Sequence, residues 1–199
     1  MNSVTQETIV ALAKNGITAE VVERKEDVLE RVQSLIPHGA EVMTMTSVTL
    51  EQTGIADYVQ TGGSYVSIKN KLMSMDRTTQ SHEMQQMGAA PQWALGSLPA
   101  ITRDGILVSA SATGSQQAAY VYGAEHVLFV VSTKKITTDF AAALKRIQNE
   151  VVPLESVRAR KAYNLPDDWN TSLNKLLVIY KEAQPGRIHV IFVEEDLGF

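Results

Sequence analysis

Short apolar runs of strand length alternate with amphipathic segments along most of the chain. This alternation restricts the fold more than any single residue does. Strands separated by helices pair in parallel and bury both faces of a sheet, so the pattern predicts an α/β fold with a mainly parallel sheet flanked by helices. Ser3 and Gln6 fit a capping box ahead of Ile9, Val10, Leu12 and Ala13, and Gly16 sits where a helix ends. Ile17–Val22 reads as a strand. Val28, Leu29, Val32, Leu35 and Ile36 recur at helical spacing, and Pro37 stops that helix. Glu41–Thr46 reads as a strand that runs into a helix start at Ser47-Val48-Thr49-Leu50. Gly54 closes a short helix, Gly62-Gly63 makes a turn, and Ser64–Ile68 is again strand-like.

The second half continues the pattern. Lys69–Met87 is mostly polar and reads as helix or loop. Trp93–Leu98 and Ile106–Ser109 read as strands flanking an Asp104-Gly105 turn, Ser115–Tyr122 as helix and His126–Ser132 as a fully buried strand. Asp139–Asn149 is amphipathic, with Phe140, Ala143, Leu144 and Ile147 inward, and Pro153 is expected to end it. Residues 154–171 read as irregular. Leu176–Tyr180 and Ile188–Val193, joined across Gln184-Pro185-Gly186, predict a C-terminal antiparallel hairpin within the folded unit. The length of 199 residues suits one domain over 1–199.

Charge and composition exclude several functions. The net charge is -4, and residues 1–100 carry 7 basic against 11 acidic side chains. Duplex nucleic acid or an anionic membrane would demand an excess of Lys and Arg, so neither is an expected partner. With no cysteine there is no disulfide, no catalytic thiol and no cysteine-held iron–sulfur cluster. This composition suits a reducing cytosol, so a cytoplasmic protein is expected. The N-terminus shows no signal-peptide pattern, and apolar runs such as Val127–Val131 fall far short of the ~20 residues of a membrane helix. No phosphate-loop, dinucleotide, nucleophile-elbow or zinc-protease motif occurs. No iron–sulfur, flavin, nicotinamide or metal cofactor is therefore expected. His38, His82, His126 and His189 lack ligand spacing.

Three segments that follow strands can carry chemistry. Ser47, Thr49 and Glu51 open a helix, where hydroxyls and free backbone N–H groups suit an anion and where plain helix capping is the simpler account. Asp104-Gly105, then Ser111 and Gly114 in a Ser/Ala/Gly run, let a ligand approach backbone closely; a β-turn and a tight strand–helix corner explain them equally. Lys134-Lys135 would receive a phosphate or carboxylate if it faced a cleft, although loop lysines are usually solvated. Parallel strands present their carboxyl ends on one side. Ser47, Thr49, Asp104, Gly105, Ser111, Gly114 and Lys135 are therefore expected to line one cleft.

Together these segments resemble a known family. S-V-T-L-E-Q-T-G (Ser47–Gly54) looks like its S-x-T-L segment, and Ala100–Gly114, Val121–Ile136 and Pro185–Phe199 match in the same order over about residues 40–199. The family is the LUD domain, the lactate-utilisation (LutC/YkgG-like) proteins. The resemblance implies the Rossmann-like fold of ribose-5-phosphate isomerase, glucosamine-6-phosphate deaminase and CoA transferases. It also implies a role in oxidising L-lactate or a related organic acid, alongside iron–sulfur oxidase subunits. A chain without cysteine would take part by binding a small anionic metabolite or as a non-redox subunit. A stand-alone sugar-phosphate or acyl-CoA enzyme is the alternative, with Asp104 or Glu51 as base or nucleophile and Lys135 as electrostatic partner. A structural or regulatory subunit without catalysis is a third.

Overall fold

The computed structural model describes residues 2–199. The strands are β1 (Thr18–Val22), β2 (Glu41–Thr44), β3 (Val66–Ser67), β4 (Trp93–Gly96), β5 (Ala100–Thr102), β6 (Leu107–Ser111), β7 (His126–Ser132), β8 (Ile136–Thr137), β9 (Lys175–Ile179) and β10 (Ile188–Val193). The helices are α1 (Ser3–Lys14), α2 (Lys25–Leu35), α3 (Val48–Gln52), α4 (Ile55–Thr61), α5 (Ile68–Met73), α6 (Ser81–Ala89), α7 (Ser115–Ala118), α8 (Phe140–Arg146) and α9 (Val152–Tyr163). Among the described residues, six strands form one all-parallel sheet in the order β1-β10-β7-β4-β2-β3. A second, mixed sheet runs β8-β5-β6-β9.

Alternate residues of the central strands enter two cores. Val127, Phe129 and Val131 of β7, with Ile188, Val190 and Phe192 of β10, pack against Leu12 of α1 and Tyr120. Leu128 and Val130, with Ile191 and Val193, pack against Val28 and Val32 of α2, Leu50 of α3 and Ile55 of α4. A parallel strand covered on both faces reads as a nearly continuous apolar run, as β7 does over Val127–Val131 and β10 over Val190–Val193. A third, smaller core fills the space between the second sheet and α8, around Ala100, Val108, Ala143 and Ile147. No helix among the described residues is long and apolar enough to cross a membrane.

The structure corrects five expectations. Asn2, not Ser3, caps α1: its side chain accepts from the Thr5 N–H at 2.8 Å. The Asp104-Gly105 turn joins β6 to β5, whereas β4 lies in the parallel sheet; Ser97-Leu98-Pro99 carries the chain between sheets. Pro153 does not end the helix. A wide π-helical turn at Ile147–Val151 precedes it, which puts the proline in the first turn of α9, where a missing N–H costs little. The segment expected to be irregular is therefore helical up to Tyr163. The C-terminal hairpin does not form. β9 pairs antiparallel with β6, while β10 inserts in parallel between β1 and β7. Burial explains the separation, because all but one residue of β10 are buried and β9 is half exposed.

The insertion of β10 makes the final segment essential to the fold. Five of its apolar side chains are fully buried (Ile188, Val190, Ile191, Phe192 and Val193), and each such burial is worth ~1.5–3 kcal/mol. A chain ending at residue 186 is expected to be insoluble or to melt without cooperativity, checked by circular dichroism. A cooperative melt near the full-length temperature would contradict this placement.

Candidate functional site

The carboxyl ends of β2, β4 and β7 open into a cleft of about 360 Å³. Its other walls are the end of β6, the α9 helix, Trp169, Thr171 and Phe199. Beyond β2 the chain turns at Thr46 and Ser47. The Ser47 hydroxyl accepts from the Leu50 N–H at 3.4 Å, so it caps α3 and also lines the cleft. Beyond β4 comes Ser97. Beyond β6, the Ser111 hydroxyl accepts from the Gly114 N–H at 2.9 Å, and Ser111, Ala112 and Thr113 form a rim.

Lysine 135 forms the floor. After β7 the chain makes a tight 3-10 turn at Thr133–Lys135, which sends the two lysines in opposite directions. Lys134 points outward to Asp196 at 2.9 Å. Lys135 is only 2% exposed, and its ammonium donates to the Thr49 hydroxyl at 3.0 Å and to the Ser97 hydroxyl at 3.4 Å. Ser97 in turn donates to Thr49 at 3.2 Å. Burial, reinforced by the nearby Arg146 guanidinium and opposed by Asp196, brings the Lys135 amine down from the ordinary lysine range to about 7. Gly198 packs over this cluster. A side chain there would run into the Thr49 hydroxyl and meet the Lys135 amine at 3.0 Å, and the backbone is left-handed at φ +59°. Only glycine suits both demands.

The α9 wall is aromatic and internally paired. Glu155 holds Arg158 through two bonds of 2.7 Å, which keeps the guanidinium protonated well beyond any physiological pH. The same guanidinium lies 5.7 Å from the centre of the Tyr163 ring. Lys135 is the other cationic side chain of the cleft lining, and its direct hydrogen-bond partners are the Thr49 and Ser97 hydroxyls. Among the described residues, no group of three or more His, Cys, Asp or Glu could hold a metal ion.

The structure brings Ser47, Thr49, Ser111 and Lys135 to one cleft and leaves Asp104, Gly105, Glu51 and Gly114 outside its lining. Asp104 is held in the β5–β6 turn, where its carboxylate accepts from the Thr102 hydroxyl and its carbonyl accepts from Asn15, the residue after α1, at 3.0 Å. Gly105, at φ +81°, presses against Leu12 and Asn15. The pair docks that turn onto α1. Glu51 lies exposed on α3, and Gly114 lies under the Lys175 side chain. Asp104 and Glu51 therefore do not share the cleft with Lys135. Sequence reasoning missed Ser97, Arg158, Tyr163 and Trp169. Ser97 directly follows β4 and obeys the same strand-end rule that singled out Ser47, but it was absorbed into an overlong strand. The other three lie in the stretch that reads as irregular.

A family model for the LUD domain matches residues 5–193, and the chain belongs to that family. No curated protein matches it. Among solved structures, it is similar to a DUF162 family protein from Deinococcus radiodurans. That alignment has 11% identity, covers 96% of each chain and has a TM-score of 0.55, which is a likeness of fold.

The buried amine has a thermodynamic signature. Its folded-state value of about 7 lies below the ordinary 10.5, so between these limits the unfolded chain binds more protons than the folded one. Stability therefore rises with pH across that window, by on the order of a few kcal/mol. Lys135→Met keeps the apolar stem and removes the charge. The variant is expected to melt above the wild type at pH 6, with the gap closing towards pH 10. Parallel melting curves across that range would show that the amine is not buried as described.

Proposed function

We propose that the cleft binds a small anionic metabolite, an organic acid or a phosphate-bearing compound, with its anion over Lys135. The observation that carries this reading is a buried ammonium whose direct partners are two neutral hydroxyls. Such a charge is poorly compensated, and an incoming carboxylate or phosphate supplies what the fold leaves out. The hydroxyls of Ser47 and Ser111 border the same space and offer further donors. The position supports the reading as well, because open parallel sheets bind ligands outside their strand carboxyl ends.

Membership of the LUD family supports a role related to lactate utilisation. We take L-lactate or a related organic acid as the first ligand class to test. Without cysteine the chain would serve as a ligand-binding, non-redox component, and iron–sulfur oxidase subunits are the partners this role calls for. A cytoplasmic setting fits the same composition.

A thermal-shift panel of lactate, pyruvate, phosphate, sugar phosphates and CoA esters tests the site. At ~100 times its Kd a ligand stabilises the fold by about 2.7 kcal/mol, a shift of several degrees. At least one anion is expected to raise the melting temperature of the wild type and to lose that effect in Lys135→Met. Silence across the panel, or equal shifts in both proteins, would refute the reading.

A further inference from the structure

We propose that Ser97 is a nucleophile activated by Lys135, and that the cleft takes acyl esters or thioesters as substrates. This inference rests on the cleft being the ligand site, and it adds a covalent step that anion binding does not require.

The arrangement has depth as well as proximity. Ser97 is half-buried and borders the cleft, whereas Lys135 and Thr49 behind it are 2% and 1% exposed. The three heteroatoms close a triangle: amine to Thr49 at 3.0 Å, Ser97 to Thr49 at 3.2 Å and amine to Ser97 at 3.4 Å. A serine hydroxyl is a weak nucleophile until an adjacent base takes its proton, and lysine serves as that base in known Ser–Lys pairs. The charged groups that bear on Lys135 are Arg146 from α8 and Asp196 from the final segment; Glu155 and Arg158 of α9 face the same cleft as a neutralised pair. Burial and Arg146 leave much of the amine unprotonated at neutral pH, as a general base requires. Thr49, which accepts from both partners, positions them. The longest side, 3.4 Å, is of the loose kind that tightens when substrate binds.

The reaction balances within these groups and water. With the amine neutral, the Ser97 hydroxyl turns its proton from Thr49 to the Lys135 nitrogen, and the Ser97 oxygen attacks the acyl carbon as that proton passes to the amine. The tetrahedral adduct collapses, the bond from carbon to the leaving oxygen or sulfur breaks, and the Lys135 ammonium protonates the departing group. Water then repeats the sequence, releasing the acid and restoring the Ser97 hydroxyl. No oxidant or cofactor enters. Small side chains at Ser111 and Ala112 leave room for a compact acyl group, and Trp169 and Tyr163 offer an apolar wall to a larger leaving group. The two roles of Lys135 belong to its two protonation states. The neutral amine serves catalysis, and an anion that holds it charged should block acylation.

The test treats the full-length protein with p-nitrophenyl acetate and, separately, with a fluorophosphonate, and maps adducts by intact mass and peptide sequencing. One adduct on Ser97 is expected, with a labelling rate that rises as pH passes through about 7. Ser97→Ala should carry none. Lys135→Met, shown to be folded by circular dichroism, should label about 100-fold more slowly or less. Phosphate at saturating concentration should slow the wild type. Adducts elsewhere, no adduct, or an unchanged rate in Lys135→Met would overturn the proposal; the wild-type map decides even if a variant fails to fold. If an anion raises the melting temperature while Ser97 stays unlabelled, the anion site stands and this inference falls. Labelling of Ser97 without any anion shift supports the covalent step and removes the anion site.

Discussion

Burial of β7 and β10 on both faces is the constraint on which the rest of the structure depends. Each strand sends alternate side chains into opposite cores, so neither can sit at an edge or face solvent. They pair over six residues, Ile188↔Val127 to Val193↔Ser132, and the other strands add outward from this pair. Its consequence is geometric. The carboxyl ends of β2, β4 and β7 come to one side, so residues that are unremarkable in sequence converge there. A further consequence is that β10, late in sequence, fills an interior position of the sheet between β1 and β7. The segment after it, Glu194 to Phe199, then passes beside the end of β7. There the Ser132 hydroxyl donates to the Glu195 carbonyl, and Gly198 reaches the Lys135 cluster.

The site follows from that convergence together with one unfavourable interaction. Taking an ammonium out of water costs several kcal/mol unless other groups replace its hydration. Two hydroxyls replace part of it, and Arg146 makes the position worse. The amine responds by giving up its proton more readily. A position that costs stability in the empty protein is what a binding or proton-transfer site needs, because an anion or a reacting hydroxyl recovers the loss. Arg187 is a useful contrast. It is equally buried, but it pairs with Glu182 at 2.8 Å and donates to the carbonyls of Ala119, Tyr120 and Ala124. That cation closes a helix end and is fully used by the fold.

The sequence revealed most of the parallel sheet, because an unbroken apolar run such as Val127–Val131 has few other homes. It revealed less where two elements share one run. Trp93–Thr102 holds two strands from different sheets, and the Ser97-Leu98-Pro99 break between them falls partly inside the single strand expected over Trp93–Leu98. The misplaced hairpin has a similar cause: Gln184-Pro185-Gly186 does look like a turn, and only the burial of β10 shows that the strands on either side part company. Pro153 misled because a π-helical turn, invisible to a 3.6-residue period, makes room for it. Of the site, the strand-end rule found Ser47, Thr49, Ser111 and Lys135. It also selected Asp104 and Gly105, because β5 was unseen and its turn faces α1. Nothing local in Lys134-Lys135 says which lysine turns inward; the tight turn decides that.

Proton uptake on ligand binding measures the central claim, that an anion settles on a buried and largely neutral amine. Calorimetric titration of the wild type with the best anion, at pH 8 in buffers of differing ionisation enthalpy, reads it directly. The account predicts uptake approaching one proton per ligand, falling as pH drops below about 7 and absent in Lys135→Met. Binding with no proton uptake at pH 8, or equal uptake in Lys135→Met, would contradict it.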